Sequence, residues 1–208
     1  MTQTLKPYAD MVRTLFKTKN YHSAAEPLVH AAIGIIGEVV ELQNTTGIEN
    51  TIEESGDLEF YVEAAVQSLY AMPAFVPALA IGIRDIVNMQ VKTITIDRQQ
   101  IVFPSVTMHD MLTAATDLLD LSKKLWIYGK PLDEDMTVAI SIHIGKVLGN
   151  LRQSYLHNGL TEEGVRTANQ RKLGKRYPEG VFTEQHAQSR LDKVEFAPAA
   201  DTEGGTND

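Results

Sequence analysis

Apolar positions recur at three- and four-residue spacing along most of the chain, the period of a helix with one buried face. Met11, Val12, Leu15 and Phe16 form such a stripe and predict a helix over residues 8–18. A second helix starts near Ser23 or Ala24 and continues through VHAAIGIIGEVVELQ. Gly34 and Gly37 each cost that helix about 1 kcal/mol relative to Ala, so both point to another helix passing close by. TTGIEN reads as a loop, and a third helix spans residues 52–70. Pro73 and Pro77 then break the pattern, before AIGIRDIVNM offers a short fourth helix. Residues 91–104 alternate and are rich in β-branched side chains, which predicts a hairpin there. From Met108 the helical spacing returns, through MLTAATDLLDLSKKLWIYG. YGKPLDED supplies a Gly/Pro break and an Asp to cap the next helix, over 134–157. A further helix covers 161–175, RYPEG ends it, and TEQHAQSRLDKV forms a last short helix. Residues 197–208 lack large apolar side chains and read as a disordered tail. The expectation is one all-α domain over 1–196, built from packed helical hairpins.

The two halves are similar. Sliding IIGEVVELQ (35–43) onto AATDLLDLS (114–122) brings Glu38 onto Asp117 and Glu41 onto Asp120. Each segment is followed by a loop and a second long helix, as diverged copies of one hairpin would be.

Composition narrows the possible chemistry. The 208 residues are 43% hydrophobic, ample for a core. Nineteen Lys and Arg against 27 Asp and Glu give a net charge of −8, which argues against a nucleic-acid backbone binder. The chain has no cysteine, so a disulfide scaffold, a zinc ribbon and a thiol nucleophile are excluded. The apolar stretch 69–83 is shorter than the roughly 20 residues that span a bilayer and contains two prolines. The first residues, MTQTLKPYAD, show no signal pattern. A cytoplasmic protein without a membrane partner is expected.

The informative residues are acidic. Glu38 and Glu41 stand three apart on one helix and project from one face; Glu54 and Asp57 repeat the relation on the next, with Glu53 adjacent. If the two helices pack antiparallel, four carboxylates converge. Such a cluster repels itself unless neutralised, and Mg²⁺, a hard cation held by carboxylates and substrate phosphate, neutralises it. The plainer alternative is ordinary solvated acids. Against that, they are set among Ile35, Ile36, Val39, Val40, Leu58, Phe60 and Tyr61.

HAAIGIIGEVVEL followed by EESGDLEFYV resembles the MazG-like all-α nucleoside triphosphate pyrophosphohydrolases, whose signature is ExxE on one helix and ExxD on the next. His30 also stands where the short phage-type members of that superfamily have one. NQRKLGKRYPEGVF resembles their NxxKLxxRYPxGF block through Asn169, Lys172, Leu173, Arg176, Tyr177, Pro178 and Gly180. Together the two blocks cover about a quarter of the chain. The second half departs from the pattern, with Ile140 and His143 where ExxD acids would stand. By analogy with the dimeric dUTPase-type members, residues 1–72 would be a catalytic hairpin and 108–157 a degenerate supporting one. Residues 161–196 would be a substrate-binding block.

The resemblance implies hydrolysis between the α and β phosphates, yielding a nucleoside monophosphate and pyrophosphate. Glu38, Glu41, Glu54 and Asp57 would hold two or more Mg²⁺ (or Mn²⁺) ions, and Glu38, Glu41 or Glu53 would take the proton of water. Lys172 and Arg176 share a helix face and would meet the phosphates, with Asn169 reading sugar or phosphate; a solvated basic helix end is the alternative. Tyr177 would stack on a base or pack in the RYP turn, and His30 would line the nucleotide pocket. The phage-type block favours a purine substrate, dGTP or GTP, such as the members serving 2-aminoadenine genome synthesis use, in a host cytoplasm if phage-encoded. Competing readings are a dUTP- or dCTP-directed housecleaning enzyme and a non-catalytic helical interaction protein. A homo-oligomer, dimer or tetramer, is expected. Trp126 is expected in the core of the second hairpin.

Overall fold

The computed structural model describes residues 6–17, 21–75 and 108–189. Among them the regular structure is all helical, as seven helices. The short helix expected over 80–89, the hairpin over 91–104 and the tail over 197–208 lie outside the described residues.

Helix α1 (Tyr8–Leu15) buries Met11, Val12 and Leu15 as its stripe predicts. It stops before residue 18 because Phe16 turns to an extended backbone (φ −70°, ψ 121°) while its N–H still bonds Val12. That turn sends the Phe16 ring onto His30, with centroids 4.6 Å apart. Helix α2 (Glu26–Gln43) opens later than expected, since Ser23 accepts from the Ala25 N–H at 3.2 Å and closes a separate turn. Helix α3 (Ile48–Tyr70) begins earlier than expected. Gly47 takes φ +85°, a conformation open to glycine, so the chain reverses at once and Ile48 to Asn50 enter the helix rather than a loop.

Helices α4 (Met108–Trp126) and α5 (Glu134–Asn158) form the second hairpin. Asp133 caps α5 by accepting from the Met136 N–H at 2.8 Å, and Gly159 ends it in the left-handed region at φ +67°. Helix α6 (Glu162–Arg176) is capped by Thr161, and α7 spans Glu184–Ser189, with the remainder of its expected length outside the described residues. Within each hairpin the helices pack together; α2 packs on α4, and α3 on α6 and α1. The buried residues of both hairpins and α6 belong to one core, including Ile35, Leu58, Leu118, Ile140 and Ile144. Trp126 corrects an expectation: Leu125 takes the inward position and the indole is 45% exposed. No helix of the described residues is long and apolar enough to cross a membrane.

The two α2 glycines differ. A Cβ on Gly34 would run into the Tyr61 ring of α3, whereas one on Gly37 would meet nothing within 4 Å. Close approach therefore explains Gly34 and not Gly37. Urea unfolding should show Gly34→Ala destabilised by about 1–3 kcal/mol through overpacking. Gly37→Ala should be stabilised by up to about 1 kcal/mol through helix propensity. Equal responses at the two positions would contradict this packing.

Candidate active site

The short reversal at residues 44–47 sets α2 and α3 side by side with opposite direction. Val39 and Leu42 point into the core, so Glu38 and Glu41 come to the edge that α3 lines with Glu54. One carboxylate oxygen from each of Glu38, Glu41 and Glu54 lies within 4.8 Å of the other two. Opposed oxygens on one Mg²⁺ stand roughly 4.2 Å apart, and on Ca²⁺ roughly 5 Å, so this donor set fits a hard divalent cation with small side-chain movements. Two unit charges at such separation repel by roughly 3–4 kcal/mol at an effective dielectric of about 20, less where Glu41 faces water. No ion pair among the described residues reaches these three acids, and the buried Oε2 of Glu38 has no hydrogen-bond partner. An orphaned carboxylate oxygen inside a ring of acids is a donor awaiting a cation or a proton.

The electrostatics agree. Burial, then the charges of Asp57, Glu41 and Glu54, push the Glu38 carboxyl from its ordinary 4.5 up to about 8. Burial and the neighbouring acids also raise Glu54.

Asp57 stands beside this trio rather than within it. Its Oδ1 accepts from Asn169 Nδ2 at 2.8 Å, and its Oδ2 is ion-paired with Lys172. The same ammonium lies 3.4 Å from Glu53. Thus the fourth expected metal ligand and the expected phosphate-binding lysine are paired with each other, and Glu53, one of the three candidate proton acceptors, shares that lysine. Asn169 is 3% exposed, and its Oδ1 accepts from Tyr8 at 3.1 Å, so both ends of its amide are engaged.

Next to the acids is a cavity of about 210 Å³, lined by Phe16, His30, Phe60, Tyr61, Tyr177 and Phe182, with Glu38, Asp57, Lys17 and Arg176 also on its walls. Five expected residues line it: His30, Glu38, Asp57, Arg176 and Tyr177. His30 stacks on Phe16 and hydrogen-bonds Tyr21 at 2.5 Å, and burial lowers its pKa. Tyr177 packs against Phe182 at 5.8 Å between centroids and also lines the cavity. Lys17 is held by Glu184 at 2.9 Å.

The second hairpin carries no counterpart of the trio. Ile140 is fully buried, His143 Nδ1 lies 3.6 Å from Asp117, and Asp120 is bridged by Lys123 and Lys124.

Sequence reasoning missed Glu59, which is 1% exposed. Arg152 of α5 pairs with it, Arg166 of α6 reaches Oε2 through two nitrogens at 3.0 and 3.1 Å, and Tyr155 donates at 3.1 Å. A signal existed: Ser55, Glu59 and Val62 lie on one helical stripe, so an acid there faces the core. No protein-family model, curated protein or solved structure matches this chain.

The raised Glu38 and Glu54 give a signed pH dependence. The folded state holds protons that the unfolded chain releases near 4.5, so with chelator present their contribution to stability is full below that pH. The Glu38 part is lost as pH rises towards about 8, and the Glu54 part moves in the same direction. A divalent cation must displace those protons, so the rise in Tm on adding Mg²⁺ should grow from pH 5 to pH 8. Glu38→Gln should flatten the chelator profile relative to the parent chain and shrink the Mg²⁺ response. A Tm indifferent to Mg²⁺ at pH 8 would remove the cation site.

Proposed function

We propose that the chain is a metal-dependent nucleoside triphosphate pyrophosphohydrolase, acting on a purine substrate, dGTP or GTP. The observation that carries the reading is one of adjacency: an aromatic-lined cavity shares Glu38 and Asp57 with the carboxylate trio and has Arg176 on its wall. At about 210 Å³ the cavity is smaller than the roughly 300–1,000 Å³ that encloses a drug-sized ligand. It suits a planar base between aromatic faces, with the phosphates lying outside along the acids. The ExxE and ExxD spacing and the NxxKLxxRYPxG-like block support the same reading.

Glu38, Glu41 and Glu54, with Asp57 joining, would hold Mg²⁺ or Mn²⁺, which would supply Lewis-acid polarisation of phosphoryl oxygens and lower the pKa of water. The chain's own residues do the remainder. The aromatic walls fix the base, so the triphosphate runs towards the acids rather than into solvent. Arg176 neutralises phosphate charge, and Lys172 does so once released from Asp57. Glu38, Glu41 or Glu53 accepts a proton from the attacking water. Water oxygen bonds to the α phosphorus, the bond from that phosphorus to the bridging oxygen breaks, and pyrophosphate leaves. A homo-oligomer is part of the proposal, supported by exposed Ile33, Val40 and Ile48; light scattering that returned a monomer mass at micromolar concentration would remove that part.

The test is turnover across the eight common ribo- and deoxyribonucleoside triphosphates. Monophosphate and pyrophosphate should appear with Mg²⁺ and not with chelator, fastest for dGTP or GTP. Fastest turnover of dUTP or dCTP would shift the substrate to the pyrimidine side. Glu41→Gln and Asp57→Asn should each abolish most activity, each removing one negative charge at nearly constant volume. No release from any nucleotide under Mg²⁺ or Mn²⁺ sinks the reading.

A further inference from the structure

Asn169 reaches the acids with both its amide nitrogen and its amide oxygen engaged by protein partners. Its Nδ2 donates to Asp57 Oδ1 at 2.8 Å, and its Oδ1 accepts from the Tyr8 hydroxyl at 3.1 Å. The Asp57 carboxylate only accepts, which fixes the amide with Nδ2 towards it and leaves Oδ1 facing the Tyr8 hydroxyl. Tyr8 is itself held from two sides. Its hydroxyl lies 3.3 Å from the Gly56 carbonyl, and its ring lies under the Arg166 guanidinium at 5.0 Å. Arg166 is in turn fixed by buried Glu59 and by Glu162. Gly56 completes the fit, since a Cβ there would fall 2.8 Å from the Asn169 Cβ. Helices α1, α3 and α6 thus converge on one carboxylate oxygen.

The other oxygen of Asp57 pairs with Lys172, the partner it must give up to ligate an ion. We propose that Asn169, oriented by Tyr8, is a positioning residue. It fixes Oδ1 of Asp57 so that Oδ2 can exchange Lys172 for the divalent cation. This rests on the metal-dependent reading above and adds two residues to it. Without the amide, both oxygens are free to follow the ammonium, and the carboxylate leaves the edge of the trio. Outer hydrogen bonds of this kind typically change metal affinity by roughly 10- to 100-fold.

The experiment is titration of Mn²⁺ alone, with no nucleotide, into the parent chain, Asp57→Asn, Asn169→Leu and Tyr8→Phe. Affinity is followed by calorimetry and the bound ion by electron paramagnetic resonance. The parent chain should bind Mn²⁺. Asp57→Asn and Asn169→Leu should bind roughly 10- to 100-fold more weakly. Tyr8→Phe should weaken binding less, with an altered spectrum of the bound ion and an unchanged circular-dichroism spectrum of the folded chain. If Asn169→Leu does not fold, Tyr8→Phe decides, because it removes one hydroxyl and keeps the ring. Parent-like Mn²⁺ affinity and spectrum in Tyr8→Phe, or in a folded Asn169→Leu, overturn the positioning role while the metal-dependent reading stands. A parent chain that binds no Mn²⁺ overturns that reading and this inference with it.

Discussion

Acidic side chains on α3 face the interior or a half-buried edge, and the surrounding helices are arranged by how each charge is met. A buried carboxylate without a counter-charge costs several kcal/mol, a large share of the roughly 5–15 kcal/mol that stabilises a domain. Glu59, on the inner side, is met by Arg152 from α5 and Arg166 from α6, which ties the first hairpin to the second and to α6. Asp57 and Glu53 are met by Lys172. Glu38, Glu41 and Glu54 receive no such partner among the described residues, and Glu38 is left holding a proton up to about pH 8.

That division gives one helix two roles. The arginine-clamped side is closed: donors and acceptors are satisfied, and α3 is anchored where α5 and α6 cross it. The acid edge is left open in charge, and beside it the Phe16–His30 stack and Tyr61 wall a cavity. Rigidity on one side and unmet charge on the other are what a metal–phosphate site needs, since ligands must be held in place before the ion arrives. Lys172 links the two sides. Its ammonium is the cation at Asp57, and under the proposed function it turns from there to the phosphates.

Local features of the fold were readable because helical periodicity is a property of neighbours along the chain. The stripe in α1, the Asp133 cap and the face shared by Glu38 and Glu41 all follow from spacings of four residues or fewer. Boundaries shifted where one residue's backbone decided the matter. Phe16 left the helix to stack on His30, and Gly47 turned the chain early enough to make Ile48 helical. Gly37 was misread because helix propensity shows only that a glycine is costly, and only the fold shows whether something fills the space. The links from Asp57 to Lys172, 115 residues away, and from Glu59 to Arg152 and Arg166, 93 and 107 away, were beyond reach. Spacing tells which face of its own helix a residue occupies, not which distant helix lies against that face.

The central claim is that the carboxylate trio and the aromatic cavity are two ends of one metal–nucleotide site. The most direct measurement is a crystal structure of the protein with Mn²⁺ and a nonhydrolysable purine triphosphate, with data at the manganese absorption edge. The account predicts an anomalous peak bounded by Glu38, Glu41 and Glu54, with the base between the rings of the cavity. A nucleotide bound elsewhere, or a trio that attracts no manganese while nucleotide is bound, would contradict it.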